Sequence, residues 1–251
     1  MFKAGRKCNH LLDALPAPER ERLAVQLERV DLPLGAVVHE SGATQTSAYF
    51  PLDCIVSLLY VLKDGGSAEV GIVGHDGMLG MPIIMGGGTS PHRAIVQSGG
   101  MALRMRAQFL RQECERAGPL QQLLMRYNQA LMIQIGQTAV CNRHHCVDQQ
   151  FCRWLLMSID RLPDNNLTMT QELIANMLGV RRAGVTEAAG KLQSTGAISY
   201  QRGRITVLDR AHLQDLCCEC YEVVQKEYKR LLPWDTTATV DERVSARVHT
   251  A

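Results

Sequence analysis

Five basic side chains lie close together between residues 180 and 204, and their types suit contacts with phosphate groups and DNA bases. Arginine can bind guanine through two parallel hydrogen bonds, whereas contacts with phosphates set position and orientation. Glu187 is the one acidic residue in this segment, so its net charge is 5 − 1 = +4, against 27 − 25 = +2 for the whole chain. The basic residues are Arg181, Arg182, Lys191, Arg202 and Arg204.

The sequence around these residues predicts two short helices joined by a sharp turn. Thr170 can cap a helix over residues 171–178, and Gly179 tolerates the left-handed conformation that ends it. A second helix is predicted over 181–192, before Gly196. Small and apolar side chains around the turn fit the close packing of a helix-turn-helix, whose second helix enters the major groove of DNA.

Two short strands, 197–200 and 205–208, predict a β-hairpin beside the second helix. Its tip carries two of the arginines, which is typical of the wing of a winged helix-turn-helix. Arg181, Arg182 and Glu187 are the predicted readers of bases, since a glutamate can accept a hydrogen bond from cytosine N4. A winged domain that contacts only proteins is the alternative. The predicted DNA contacts are Thr170, Gln171, Arg181, Arg182, Thr186, Glu187, Lys191, Arg202 and Arg204.

The first half of the chain has a different pattern. Short apolar runs separated by glycines, from about residue 31 to 105, predict an all-β barrel or sandwich. A helix over 19–29, with Pro18 at its start, is predicted ahead of them.

From residue 120, apolar side chains recur every three or four positions for some 27 residues, which predicts a helix about 40 Å long. A long helix with one apolar stripe often pairs with a copy of itself, although a core helix of a monomer has the same pattern. A further helix over 147–161, a loop over 162–166 and a loose tail after residue 232 are predicted behind it. The predicted dimer contacts are Leu120, Leu124, Tyr127, Leu131, Thr138 and Cys141.

Composition excludes several classes of protein. Apolar residues make up 46% and charged residues 21%, as in ordinary globular chains, so a disordered or fibrous chain is excluded. No apolar run approaches the ~18 residues that span a bilayer, and the start does not resemble a secretion signal. We therefore expect a cytoplasmic protein with reduced cysteines and no membrane partner. Neither a nucleophile elbow, a phosphate-binding loop nor a His-Glu-x-x-His motif is present, so we do not expect an enzyme.

From about residue 20 to 230, the sequence resembles the Crp/Fnr superfamily of transcription regulators. The segments 170–175, 178–180, 196–198 and 202–205 resemble the family's helix-turn-helix and wing, and the glycines of the first half resemble its cyclic-nucleotide-binding-type β-roll. The resemblance implies an α+β fold with a jelly-roll-like double-stranded β-helix, a long dimerisation helix and a winged helix-turn-helix. It also implies a homodimer on a palindromic DNA site, and RNA polymerase as a further partner.

This resemblance suggests domain bounds of 1–118 for the roll, 119–146 for the dimerisation helix, 147–232 for the DNA-binding domain and 233–251 for the tail. Cyclic-nucleotide-binding members carry Gly-Glu and Arg-Ser in the roll, where this chain has Gly80-Met81 and His92-Arg93, with Arg93 one place out of register. The effector and any cofactor are therefore unknown. The effector contacts implied by position are Gly80, Met81, His92, Arg93 and Tyr127.

The chain has nine cysteines, which allows a second hypothesis, a redox- or metal-responsive regulator. The N-terminal cysteines that hold an iron–sulfur cluster in part of the family are represented only by Cys8. Cys141 and His145 lie four residues apart on one helix, with Cys146 beside them, so two protomers could form a Cys2His2 metal site across the dimer axis. The alternative is that these cysteines simply pack as small apolar residues in a helix interface. The cysteines of the segment 217–220 are interpreted in the same way, as packing residues and not as a site.

Overall fold

The computed structural model describes residues 8–232. Its first half is a sandwich of two antiparallel sheets. The strands are β1 (Glu28–Leu32), β2 (Val37–His39), β3 (Ser47–Pro51), β4 (Ile55–Val61), β5 (Ser67–Val73), β6 (Arg93–Ser98) and β7 (Gly100–Arg106). Their orders in the two sheets are β1-β7-β3 and β2-β6-β4-β5. Four short helices accompany the sheets: α1 (His10–Asp13), α2 (Ala17–Ala24), α3 (Met81–Ile84) and α4 (Ala107–Glu115).

The predicted helix over 19–29 is shorter in the structure, because its last residues belong to a strand. α2 ends at Ala24, and Glu28 begins β1, which pairs antiparallel with β7 from Glu28 opposite Arg104 to Leu32 opposite Gly100. Pairing with a strand about 70 residues away in sequence is a tertiary effect that local helix propensity does not contain.

The long helix α5 (Pro119–His144) follows the roll. Its N-terminus is capped from a distance, since the buried carboxylate of Glu19 in α2 accepts a hydrogen bond from Leu120 N at 3.0 Å. A negative charge there also interacts favourably with the helix dipole. Near its middle, the Gln134 amide accepts from Ile72 N at 2.7 Å and donates to Ile72 O, so this polar side chain pairs with the backbone of β5.

The six predicted dimer contacts do not face outward, and this prediction needs correction. Leu120, Leu124, Tyr127 and Cys141 are at most 1% exposed, and Leu131 and Thr138 are at most 8% exposed, although the structure contains a single protomer. Their stripe packs against the roll and the C-terminal helix of the same chain. A second protomer would therefore meet a different face of α5.

The C-terminal half begins with α6 (Val147–Ile159) and continues through a helix-turn-helix and a small sheet. The sheet has three strands in the order β8-β10-β9, one more than the predicted hairpin, because residue 166 of the predicted loop begins a strand. The elements are β8 (Asn166–Thr168), α7 (Gln171–Leu178), α8 (Arg182–Ser194), β9 (Ile198–Gln201), β10 (Arg204–Val207), α9 (Arg210–Asp215) and α10 (Cys220–Leu231).

The last helix returns to the long one. α10 runs antiparallel to α5, because Tyr228 contacts Gln134 while Cys220 contacts Gln137. The sequence alone did not predict α9 and α10. In the part of the chain that the structure describes, no helix is long and apolar enough to cross a bilayer. The predicted loose tail, 233–251, lies outside the described residues.

Candidate nucleic-acid interface

The turn of the helix-turn-helix has the predicted local structure. The Thr170 hydroxyl accepts a hydrogen bond from Leu173 N at 3.3 Å and caps α7. Gly179 ends the helix with a φ of +66°, and its N–H donates to Ala175 O. Val180 N also donates to Ala175 O, at 3.0 Å. Both bonds satisfy a carbonyl that the end of the helix would otherwise leave without a partner.

Apolar packing fixes which face of α8 is exposed. Val185, Ala188, Ala189 and Leu192 are at most 4% exposed and pack with α6 and α7. The spacing of three and four residues places them on one side of the helix. The opposite side is therefore available to a ligand.

Two arginines stand at the start of this exposed side. Arg181 is the N-cap residue of α8, and Arg182 is its first residue. Both side chains are exposed, and within residues 8–232 neither forms an ion pair. Thr186 lies one turn further along, with its hydroxyl 2.7 Å from Gln171 Oε1, so it joins the first turn of α7 to this face.

Lys191 differs from these arginines because its charge is already paired. Its Nζ lies 2.9 Å from a Glu187 carboxylate oxygen and 3.0 Å from Asp148 Oδ2. The hydrogen bonds that Lys191 donates to Glu187 and Asp148 raise the pKa of Lys191, and the contact with Lys191 lowers the pKa of Glu187. The uncompensated positive charge of α8 is therefore at its N-terminal end.

The wing presents two more arginines. The two-residue loop between β9 and β10 has positive φ at both positions, +50° at Arg202 and +79° at Gly203, which is the geometry of a type I′ hairpin turn. The φ of Arg202 is unusual for a residue with a side chain. Arg202 and Arg204 are exposed and form no ion pair in the described chain. A hydrogen bond from Met169 N to Gly203 O, at 2.7 Å, fixes the tip to the residue after β8.

Two of the predicted effector contacts, Tyr127 and Met81, are not accessible to a ligand in this structure. Tyr127 is buried, donates a hydrogen bond to Met78 O at 3.1 Å, and packs so closely on Gly77 that a Cβ there would overlap its ring. Met81 is buried in α3, directly after Gly80.

The other two candidates have partners in the roll. The Arg93 guanidinium lies 2.9 Å from Glu40 Oε2, and His92 bonds to the Ser90 hydroxyl. Burial, with a contribution from the nearby His39, lowers the pKa of His92 to about 4. The roll has a depression of about 490 Å³ elsewhere, lined by Arg104, Arg106 and Arg111 among others, and none of the five predicted contacts lines it.

The metal-ligating candidates lie in a cluster with two further cysteines. Cys141 and His145 meet Cys218 and Cys220 of the same chain, and the four ligand atoms all lie within 4.8 Å of one another. The expectation that a second protomer completes the set is therefore corrected. Cys146 is exposed, and its Sγ is directed at Gln149 instead. The pairing of Cys-x3-His with Cys-x-Cys was a signal in the sequence, but only the antiparallel packing of α10 on α5 brings the two motifs together.

Comparisons with known proteins agree with this geometry. The family model of the Crp-like helix-turn-helix domain matches residues 149–216. A Crp/Fnr-family regulator from Eubacterium rectale has a similar structure, with a TM-score of 0.63 and 18% identity over 82% of this chain and 96% of that one. FixK2 from Bradyrhizobium japonicum superposes with a TM-score of 0.64 and 13% identity, over 76% and 98% of the two chains.

A Crp-family regulator from Thermus thermophilus, TTHB099, is similar at a TM-score of 0.61 and 17% identity, over 75% of this chain and 95% of that one. Curated protein sequences give no significant match. At these identities the solved structures establish the fold, and the family model establishes the type of the C-terminal domain. The chain therefore has the fold of Crp/Fnr transcription regulators, and residues 149–216 form a Crp-like helix-turn-helix domain.

Proposed function

We propose that this protein is a homodimeric regulator that binds palindromic DNA through α8 and the wing. The observation that carries the proposal is the set of four exposed arginines that form no ion pair with any of residues 8–232, two at the start of α8 and two at the wing tip. Arg182 reads base edges in the major groove, and Arg202 and Arg204 contact phosphates. Lys191 has a smaller part, since two carboxylates already neutralise it.

The dimer forms through the outward face of α5. Met125 and Met132 are 45% and 62% exposed, and Ala139 is also exposed. The three residues are spaced seven apart, which is the repeat of a coiled coil. Gly136 lies between them, and a Cβ built on it would meet nothing within 4 Å in its own protomer. A glycine with no role inside the protomer suits a close approach of two helices.

The β-roll senses a signal or supports the dimer without the usual contacts to cyclic AMP. Met81 is buried and offers no carboxylate to a ribose hydroxyl, and Arg93 is paired with Glu40. A protein of this kind acts in the cytoplasm and works together with RNA polymerase, and we assign it no enzymatic activity.

Selection of bound fragments from random DNA with the full chain tests this function. We expect a two-fold symmetric motif whose half-sites lie about one helical turn apart. The double variant Arg181→Ala, Arg182→Ala should lose this enrichment. The double variant Lys226→Ala, Lys229→Ala, which removes two charges from α10, is the matched control and should retain it.

Two results would contradict the proposal. One is the absence of any enriched motif with the wild-type protein, which would favour a winged domain that contacts proteins. The other is an unchanged motif in the Arg181, Arg182 variant.

A further inference from the structure

The cysteine–histidine cluster joins two parts of the chain that are distant in sequence. Cys141 lies in the last turn of α5, and His145 is the residue that caps this helix. Cys218 precedes α10, and Cys220 is its first residue. Cys141, Cys218 and Cys220 are buried, and the side chain of His145 is only 14% exposed. Four soft or borderline ligands thus meet in a site largely shielded from water.

The distances fit one tetrahedral ion. Cys141 Sγ lies 3.6 Å from Cys218 Sγ, and Cys220 Sγ lies 3.5 Å from His145 Nδ1. Zinc bonds of about 2.3 Å to sulfur and about 2.0 Å to nitrogen require, in a tetrahedron, a distance of about 3.8 Å between two sulfurs and about 3.5 Å between sulfur and nitrogen. No two of the four ligand atoms are more than 4.8 Å apart, so each pair has to close by at most about 1 Å. We propose a site for one zinc ion, whose ligands are Cys141, His145, Cys218 and Cys220.

Two contacts around the cluster have the form of an outer ligand shell. His145 directs Nδ1 at the cluster, while its Nε2 lies 3.2 Å from Glu219 Oε2. A carboxylate on the second ring nitrogen fixes the orientation and the tautomer of a histidine that binds metal. In addition, Gln137 Nε2 donates to Cys220 Sγ at 3.1 Å, which stabilises a thiolate.

The charge around the cluster also favours an occupied site. Arg153 is 4% exposed; its Nη1 donates to the Thr138 hydroxyl, and its Nε has no hydrogen-bond partner. No carboxylate within residues 8–232 forms an ion pair with it, although the buried Glu69 is near enough to interact with its charge. Three thiolates and a neutral imidazole around Zn²⁺ carry a net charge of 2 − 3 = −1, which would compensate this buried guanidinium.

The ligand set favours zinc over metals that prefer oxygen ligands and over iron–sulfur clusters. Sulfur and imidazole select zinc over magnesium or calcium, which prefer oxygen. An iron–sulfur cluster distributes its cysteines over several iron atoms, so its ligands lie further apart than these four do. Zinc here ties the start of α10 to the end of α5, next to the junction with the DNA-binding domain.

Metal analysis of the purified full-length protein tests the site. We expect about one zinc ion per protomer. Cys218→Ser and His145→Ala should lose the ion, whereas Cys146→Ser, which removes an exposed thiol next to the cluster, should keep it. Glu219→Gln should keep the stoichiometry but weaken zinc affinity by roughly tenfold. Wild-type protein without zinc, or Cys218→Ser with full zinc, would overturn the proposal.

Cobalt gives a second measurement on the wild-type chain, which does not depend on how well the variants fold. Co²⁺ added to metal-free, reduced protein should give the visible absorption of tetrahedral cobalt with thiolate-to-metal charge transfer, and zinc should displace it. Octahedral cobalt spectra, or a Cys141–Cys218 disulfide in protein isolated with its thiols blocked, would contradict a zinc site. Neither measurement involves DNA. The zinc site can therefore fail its test while the proposed DNA binding holds, and DNA binding can fail its test while the zinc site holds.

Discussion

The Arg161 guanidinium binds the Asp76 carboxylate through two contacts, Nη2 to Oδ2 at 2.6 Å and Nε to Oδ1 at 3.1 Å. Arg161 follows α6 of the DNA-binding half, and Asp76 lies in the loop after β5 of the roll. Arg161 is buried and the Asp76 side chain is only 15% exposed. The guanidinium also lies 5.5 Å from the centre of the Tyr228 ring in α10. Gly74 permits this approach, because a Cβ there would come within 2.7 Å of Arg161 Cβ. Three parts of the chain therefore meet at one ion pair.

Asp76→Asn should destabilise the protein strongly. Removal of one member of a buried pair leaves the other charge uncompensated, and the free energy of unfolding should fall by about 3–5 kcal/mol. Urea denaturation followed by circular dichroism measures the loss. Asp215→Asn, at an exposed site at the end of α9, is the control and should change stability very little. A loss below about 1 kcal/mol for Asp76→Asn would show that the pair is not important for stability.

Arg182→Ala should reduce affinity for the selected DNA site by about 1–3 kcal/mol and relax the preference for one base pair. Arg204→Ala should instead weaken binding to all sequences and lower the slope of affinity against salt, because a phosphate contact releases counterions. Fluorescence anisotropy at several salt concentrations separates these two effects. Equal loss on specific and random DNA in Arg182→Ala would exclude it as a reader of bases.

Met132→Glu should convert the protein to monomers while preserving its fold. The side chain is 62% exposed in the protomer, so the charge is tolerated there but not between two α5 helices. Light scattering coupled to gel filtration measures the mass. Met85→Glu, at a residue of the roll that is 58% exposed, is the matched control and should remain dimeric. A dimeric Met132→Glu would locate the interface elsewhere.

Glu69→Gln should remove a pH dependence of stability. Burial raises the pKa of Glu69 to about 7, and Ser57 and the charges of Arg153 and Arg161 oppose this only in part. Trp154 also faces this carboxyl group. Because the folded-state pKa is above the ordinary value of 4.5, the stabilising contribution is complete below pH 4.5 and is lost as the pH rises through 7.

The free energy of unfolding of the wild-type protein should fall by about 3 kcal/mol as the pH rises from 4.5 to above 7. Glu69→Gln should therefore resemble wild type at about pH 4 and be the more stable of the two at about pH 8, as measured by urea denaturation. An identical difference in stability at both pH values would show that Glu69 titrates normally in the folded protein.

Local chemistry explains why the DNA-binding half was the more predictable one. The cap at Thr170, the left-handed Gly179 and the hairpin around Gly203 each depend on a few neighbouring residues, and each is present as predicted. β8 was missed, since its three residues become a strand only by pairing with β10.

The face of α5 that we propose for the dimer could not be predicted from periodicity, because the helix has two apolar faces. The stripe through Leu124 and Leu131 packs on its own chain, whereas Met125 and Met132 are exposed. Which stripe is internal depends on where the roll and α10 lie. The packing of α10 on α5 also assembles the cysteine cluster. Cys141 and Cys218 are 77 residues apart, and this spacing alone does not indicate that they are in contact.

Only His145 and Cys146 separate α5 from α6. This short connection and the Arg161–Asp76 ion pair together hold the DNA-binding domain against its own protomer, so in the proposed dimer the distance between the two wings depends on the angle at which the two long helices cross. An operator with one base pair inserted between its half-sites, about 3.4 Å longer, would then be held through one half-site alone.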